Sequence, residues 1–332
     1  ILFDSFVSNN HDLDLTYTRG KMTYYGKLGY ANWQGKWKEQ DITTNYVSGS
    51  NTGSNTGSNT GDNATTYIAS STLDCKHNYN DHFYWSAGAD LALTEKQTIG
   101  VKYNGYNIHQ PMPFKMTSYA MTNDHVDDNV TGNNKFFYYD WQHHVNAFYQ
   151  GKYGEKWKLN FFGDFVKLHT EQAQFVDEIS ERGAAIGKEA RNKFTLLPQS
   201  DGTIWGAKAR ANYTINDKQT WMMGAEYNYV KSESRTDYTP ADKGTSTHSI
   251  TKENHAAVFA EYSIDFKPFS LRVGLRYEHV DSRLDSHAPL HRKYDNLYPS
   301  LLLSHQSGRF SQSLSYRSSE TRPSFQELNT GT

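Results

Sequence analysis

Residues 254–281 read NHAAVFAEYSIDFKPFSLRVGLRYEHVD, and their alternation leaves little choice of backbone. In the first arm Ala256, Val258, Ala260, Tyr262 and Ile264 share a side, with His255, Glu261, Ser263 and Asp265 opposite. In the second, Leu271, Val273, Leu275 and Tyr277 oppose Arg272, Gly274, Arg276 and Glu278. A period of two is the signature of a strand. Phe266-Lys267-Pro268-Phe269 leaves room only for a tight turn, which Pro268 suits because it lacks an N–H. Pairing Asp265 with Ser270 across that turn sets Glu261 diagonally between Arg272 and Arg276.

The same two-faced unit recurs along the chain, giving about 12 strands by alternation. Short turns near residues 20, 95, 153, 217, 267 and 307 alternate with polar excursions at about 39–80, 109–134, 171–202, 235–250 and 282–293. The first excursion holds SGSNTGSNTGSNTGDN, an Asn-Thr-Gly-Ser repeat with nothing apolar to bury, which predicts a solvent loop. The charged stretch VDEISERGAAIGKEARNK in the third allows a short surface helix.

Composition narrows the classes. Lys and Arg total 34 against 36 Asp and Glu and are interleaved throughout, so no basic stripe marks a nucleic-acid surface. The lone Cys75 excludes an internal disulfide framework and a cysteine zinc cluster. No apolar run is long enough for a transmembrane helix, and ILFDSFVSNN does not read as a signal peptide, so an exported protein of this sequence is expected to be a mature or internal piece. Aromatics at 14% favour strands, yet a hydrophobic fraction of 36% with mean hydropathy −0.81 is thin for a packed soluble domain of 332 residues. Either the core is small or lipid covers the apolar faces.

One tight rim, one elaborate rim, an apolar side ending in Tyr or Trp and a charged opposite side together predict an all-β, antiparallel transmembrane β-barrel in the cell outer membrane. Closure follows from the backbone, since an unpaired N–H or C=O in hydrocarbon costs several kcal/mol. A soluble β-sandwich or propeller is the competing fold, disfavoured by arms of about 14 residues and a polar face too charged for a core.

From Asp295 the chain reads DNLYPSLLLSHQSGRFSQSLSYRSSETRPSFQELN. This stretch resembles the barrel of TonB-dependent outer-membrane transporters, in the branch carrying Tyr/Phe-Pro-Ser, Leu-x-Leu-Ser-Tyr and Arg-Pro-Ser-x-x-x-Leu-Asn. The matching residues include Tyr298, Pro299, Ser300, Leu314, Ser315, Tyr316, Arg322, Pro323, Ser324, Leu328 and Asn329. The resemblance implies a barrel of 22 strands, a plug inside it, and uptake of a scarce small nutrient (siderophore, haem, vitamin, peptide or glycan) driven through TonB. It implies as partners the lipid bilayer, TonB by way of a plug not in this sequence, and a surface lipoprotein. The chain is then expected to be a barrel segment of a longer protein over 1–332.

Candidate ligand-contacting residues are Met112, Phe114, Met116, Tyr119 and His125 in an outer excursion; candidate lumen- or plug-facing residues are Glu261, Arg272, Arg276 and Glu278. Mutual pairing of the charges, and plain loop packing of the aromatics and methionines, are the bland readings. His143 and His144 are adjacent on a strand and point to opposite faces, and the remaining histidines show no spacing that converges on a metal. No metal, no cofactor, no catalytic residue and no enzyme are expected, because no nucleophile–histidine spacing stands out. The alternatives are a passive porin-like or adhesive barrel and a soluble β-rich carbohydrate-binding protein.

Overall fold

A computed structural model describes residues 2–5, 8–47, 65–122, 125–182 and 190–319. Thirteen strands form one antiparallel sheet: β1 (Leu2–Ser5), β2 (Asn9–Arg19), β3 (Met22–Val47), β4 (Thr65–Thr94), β5 (Gln97–Thr122), β6 (His125–Tyr153), β7 (Trp157–Ser180), β8 (Arg191–Asn216), β9 (Gln219–Thr239), β10 (Thr247–Phe266), β11 (Phe269–Asp285), β12 (Leu290–Ser307) and β13 (Phe310–Arg317). Both β1 and β2 pair along β3, so the strands fill twelve positions in chain order. Among the described residues the sheet is an open wall, with β1 and β2 on one edge and β13 on the other.

The hairpin at 254–281 pairs as its pattern requires, with Asp265 opposite Ser270 and Phe266 opposite Phe269 across a turn at Lys267–Pro268. The other tight turns fall at 20–21, 95–96, 154–156, 217–218 and 308–309. Gly20, Gly154 and Gly308 sit at φ near +60°, a region that costs a glycine little and other residues more.

The opposite rim departs from expectation. Most of the excursions expected as loops are strand: β3 runs on to Val47, β5 to Thr122 with β6 starting at His125, and β7 to Ser180. The same holds at 235–250 and 282–293, where β9 ends at Thr239 and β11 at Asp285. Backbone ladders need no apolar face, so strands that rise into water lose their hydrophobic alternation while keeping their hydrogen bonds. Among the described residues of the charged stretch in the third excursion, 176–180 belongs to β7, 181–182 is helical and 191–193 opens β8. The Asn-Thr-Gly-Ser repeat lies outside the described residues.

Prolines mark where the ladder breaks. Pro111 and Pro113 lie on β5 between Lys115, which faces Asp74, and His109, which faces Asp81; residues between these points have no β4 partner. Pro198 falls in a similar interruption between β7 and β8, flanked by the pairs Glu171–Gln199 and Gln174–Leu196. A residue without an N–H is tolerated there because no ladder bond is asked of it.

The convex face carries a band bounded by aromatic side chains. Trp157, Tyr213, Trp221 and Tyr262 lie within four residues of the turn ends of their strands, and Trp157 packs on Tyr213 at 4.6 Å and Trp221 on Tyr262 at 5.1 Å between ring centroids. Phe165, Trp205, Tyr229 and Tyr277 lie eight to eleven residues from those turns, with Phe165 against Trp205 at 4.4 Å. Between the two rows the convex positions include Phe161, Ala207, Ala209, Ala225, Val258, Ala260, Val273 and Leu275. On β7, β8 and β9 the two rows are eight residues apart, which at ~3.4 Å each and a tilt of ~40° is a rise of ~21 Å, close to the ~25 Å apolar band of an outer-membrane barrel.

Candidate functional site

The concave face of β8–β12 holds the charges singled out in the sequence. Alternation puts Lys208, Glu226, Phe259, Glu261, Arg272, Arg276, Glu278 and Tyr298 on this side, around a cavity of about 610 Å³ whose floor is Gly274 and Ser300. Arg272 Nε lies 3.3 Å from Glu261 Oε1. Arg276 turns away from Glu261: its Nε donates to Glu278 and its Nη1 lies 3.5 Å from Glu226 Oε2, to which Lys208 Nζ also reaches at 3.2 Å. The expected bracket of one glutamate by two arginines is therefore half formed. Glu226, directly across β10 from Glu278 by way of Ala257, supplies the second acceptor instead. His255 Nε2 stands 3.3 Å from Glu278 Oε2, within ion-pair range but without hydrogen-bond geometry.

Phe259, which the sequence did not single out, joins this group. Its odd-numbered place between His255 and Glu261 puts it on the polar side. There Lys208 Nζ lies 5.8 Å and Arg276 Cζ 5.6 Å from its ring centroid, an arrangement favoured by the negative face of the ring. Gly224, across from Phe259, makes the room: a Cβ there would come within 2.4 Å of the ring.

The expected ligand-contacting residues are separated by the strand. Met112, Phe114 and Met116 share the concave side of β5, whereas Tyr119 points the other way and His125 opens β6 opposite Thr122. Trp37 Nε1 donates to Met112 Sδ at 3.1 Å, its ring lies 6.3 Å from that of Phe114, and Met116 Sδ accepts from Asn134 Nδ2 at 3.9 Å. Met112 and Phe114 sit at the interruption between β4 and β5, so they fill a hole in the wall as well as line it. A further group, unmarked in the sequence, gathers on Asp140: Tyr106 and Tyr138 donate to Oδ2 at 3.1 and 3.2 Å, and Thr170 to Oδ1 at 3.3 Å. The shared parity of Tyr138 and Asp140 was a signal for it, but the pairing to Tyr106 and Thr170 needed the register.

Of the terminal motif, Tyr298 and Ser300 line the cavity, and Pro299 O, level with Leu275, accepts from Ser318 N at 3.1 Å. Leu314 and Tyr316 are exposed on β13, and Arg322, Pro323, Ser324, Leu328 and Asn329 lie outside the described residues.

A two-faced antiparallel wall with a bounded apolar band outside and a charged concave face inside is the structure of an outer-membrane β-barrel. Residues 154–331, over half of the 332, match the profile of the outer membrane protein beta-barrel family, and the chain belongs to that family. Among solved structures, the ferric citrate transporter FecA in its unliganded form aligns at 12% identity over 91% of this chain and 42% of that one, with a TM-score of 0.52. BauA, the ferric preacinetobactin receptor of Acinetobacter baumannii, aligns at 7% identity over 95% of this chain and 61% of that one, with a TM-score of 0.33. The outer membrane protease OmpT of Escherichia coli aligns at 10% identity over 71% and 86% of the two chains, with a TM-score of 0.26. The last two scores carry no argument; the first supports the fold. No curated protein sequence matches. The chain thus resides in the cell outer membrane, and its fold is similar to that of the ferric citrate transporter FecA, of which it spans less than half the length.

Proposed function

We propose that this chain forms part of the wall of a TonB-dependent uptake receptor, non-enzymatic, carrying a scarce small nutrient across the outer membrane. The observation that carries the reading is the concave ion-pair cluster of Lys208, Glu226, Glu261, Arg272, Arg276 and Glu278. Exposed ion pairs contribute little to stability, typically ~0–1 kcal/mol. Such a dense set on the inner wall therefore suits the docking of a plug, whose own charges exchange with these partners when it moves. Met112, Phe114 and Met116, higher on the same face, would meet the nutrient before it reaches the plug level, with Tyr119 and His125 near the rim.

The test is uptake by cells that produce the intact protein, measured with labelled nutrients from each candidate class. Accumulation of one of them should vanish on loss of TonB or on collapse of the proton gradient. Uptake indifferent to both, together with steady conductance in a planar bilayer, would overturn the reading in favour of a passive pore.

A further inference from the structure

Above the aromatic rows the two faces of the wall differ in the sign of their charge. Eleven or more residues from the short-turn ends of β3–β10, alternation and register put every lysine and arginine paired in the ladders on the convex face, among them Lys38, Lys115, Lys135, Lys193, Arg235 and Lys252. Lys76, in the interruption of β4, reaches Asp74 on that face at 2.6 Å. The concave face of the same stretch holds Glu39, Asp41, Asp128, Asp140, Glu178 and Glu253, and the first concave cation at this height is Arg292 on β12. Lower down the concave face is mixed, with Lys27, Lys102, Lys208 and Arg276 among its acids. Like charges gathered on one face repel, so folding does not account for the upper belt. The belt is short of donors as well. Thr251, beside Glu253 on this face and 2% exposed, has no hydrogen-bond partner for its Oγ1 among the described residues.

Asp140 is the most closely built point of the belt. It lies thirteen residues above the turn end of β6, is 8% exposed and has no ion-pair partner among the described residues. A buried carboxylate without a counter-charge is destabilising. Among the described side chains its oxygens are met by hydroxyls alone, those of Tyr106 and Tyr138 on Oδ2 at 3.1 and 3.2 Å and that of Thr170 on Oδ1 at 3.3 Å. A hydroxyl held firmly by a carboxylate lies at ~2.5–2.7 Å, so these three bonds are slack. Ile108, level with Asp140 on β5, adds no polar group. Both tyrosine hydroxyls converge on one oxygen, which brings two rings beside it, and the face of an aromatic ring attracts a cation. We propose that Asp140, Tyr106 and Tyr138 bind an ammonium group of the solute taken up, which makes the cargo an amine-bearing cation of the polyamine or lysine-peptide kind. The ammonium takes the place of a tyrosine hydroxyl on Oδ2 and is flanked by the rings. An anionic cargo would instead meet a belt of carboxylates with no lysine or arginine facing it from β3–β10. The inference names the substrate class of the uptake function proposed above and rests on that reading.

Equilibrium binding to the purified intact protein in neutral detergent tests the site without TonB or a proton gradient. Trilysine amide and spermidine are the probes, with trialanine amide and triglutamate as controls. At an ionic strength of ~0.15 M, where distant charges are screened, the two cations should bind and the controls should not. Asp140→Asn should weaken cation binding at least about tenfold, whereas Glu39→Gln, which removes the same charge elsewhere in the belt, should change it less than about twofold. Tyr138→Phe keeps the ring and frees Oδ2, so binding should hold or tighten; Tyr138→Leu, which removes the ring, should weaken it about fivefold. Controls that bind as tightly as the cations, no binding of either cation, or equal losses in Asp140→Asn and Glu39→Gln would each overturn the inference, the last by reducing it to a diffuse field. If Asp140→Asn does not fold, the contrast between Tyr138→Phe and Tyr138→Leu decides in its place, and equal losses in those two overturn it. Cation binding that persists while uptake is indifferent to TonB would overturn the uptake reading and leave the site standing.

Discussion

At the scale of single residues, Gly224 and Phe259 depend on each other. A methyl at 224 would meet the Phe259 ring at 2.4 Å and the Ala209 carbonyl at 2.5 Å, so Gly224→Ala is expected to cost ~1–3 kcal/mol, as overpacking does. Phe259→Ala in the same chain should return only part of that loss, since the carbonyl stays in place. Chemical unfolding in detergent measures both. Beyond the band, Asp177 accepts from Arg191 Nε at 2.7 Å and Nη2 at 2.6 Å, and this forked contact holds its carboxyl below the usual carboxylate range. A lowered folded-state value stabilises the pair above the unfolded value of ~3.9, and the stabilisation is lost as pH falls through the folded value. The protection of amides around 176–180 and 191–193, corrected for the intrinsic pH dependence of exchange, should therefore be unchanged from neutral pH down to about 4 and fall below it. Arg191→Gln should remove that acid step. Both residues were visible in the sequence as charges; their pairing across fourteen positions was not.

At the scale of strands, the interruption between β4 and β5 is where pattern reading and structure part company. The expected excursion at 109–134 contains Pro111 and Pro113, residues that forfeit a ladder bond in a central strand. The strand continues because the β4 side is interrupted at those positions and side chains close the gap: Trp37 on Met112 and Phe114, and Gln110 Nε2 on Asn78 Oδ1 at 3.3 Å. Trp37→Ala should open the gap. A half-buried indole makes the expected loss ~2 kcal/mol, about half the figure for a fully buried one, with faster exchange confined to 75–80 and 110–114. Uniform exchange across the sheet would show instead that Trp37 supports the whole wall. Short turns were legible at every hairpin, because tight turns demand particular residues; strand ends on the other rim were not, because polar strands in water look like loops.

At the scale of the whole wall, the apolar band defines a depth axis that substitutions can probe. Leu275→Arg places a cation within the apolar band and is expected to cost ~2–4 kcal/mol, whereas His279→Arg, four residues higher on the same face of β11, should cost ~0–1 kcal/mol. Reversible folding into bilayers resolves the two. Equal costs would mean that residues 271–277 do not face hydrocarbon. The alternation of 254–281 determined by itself that the chain is a strand pair with one apolar and one charged face, and its repetition determined a barrel, because each face tolerates only one surrounding. It assigned Glu261, Arg272, Arg276 and Glu278 to a common side for the same reason. Their actual partners, and the place of Phe259 among them, were decided only by the tertiary structure. Each depends on the register between strands far apart in sequence, and register is set by the ladder as a whole rather than by any one segment.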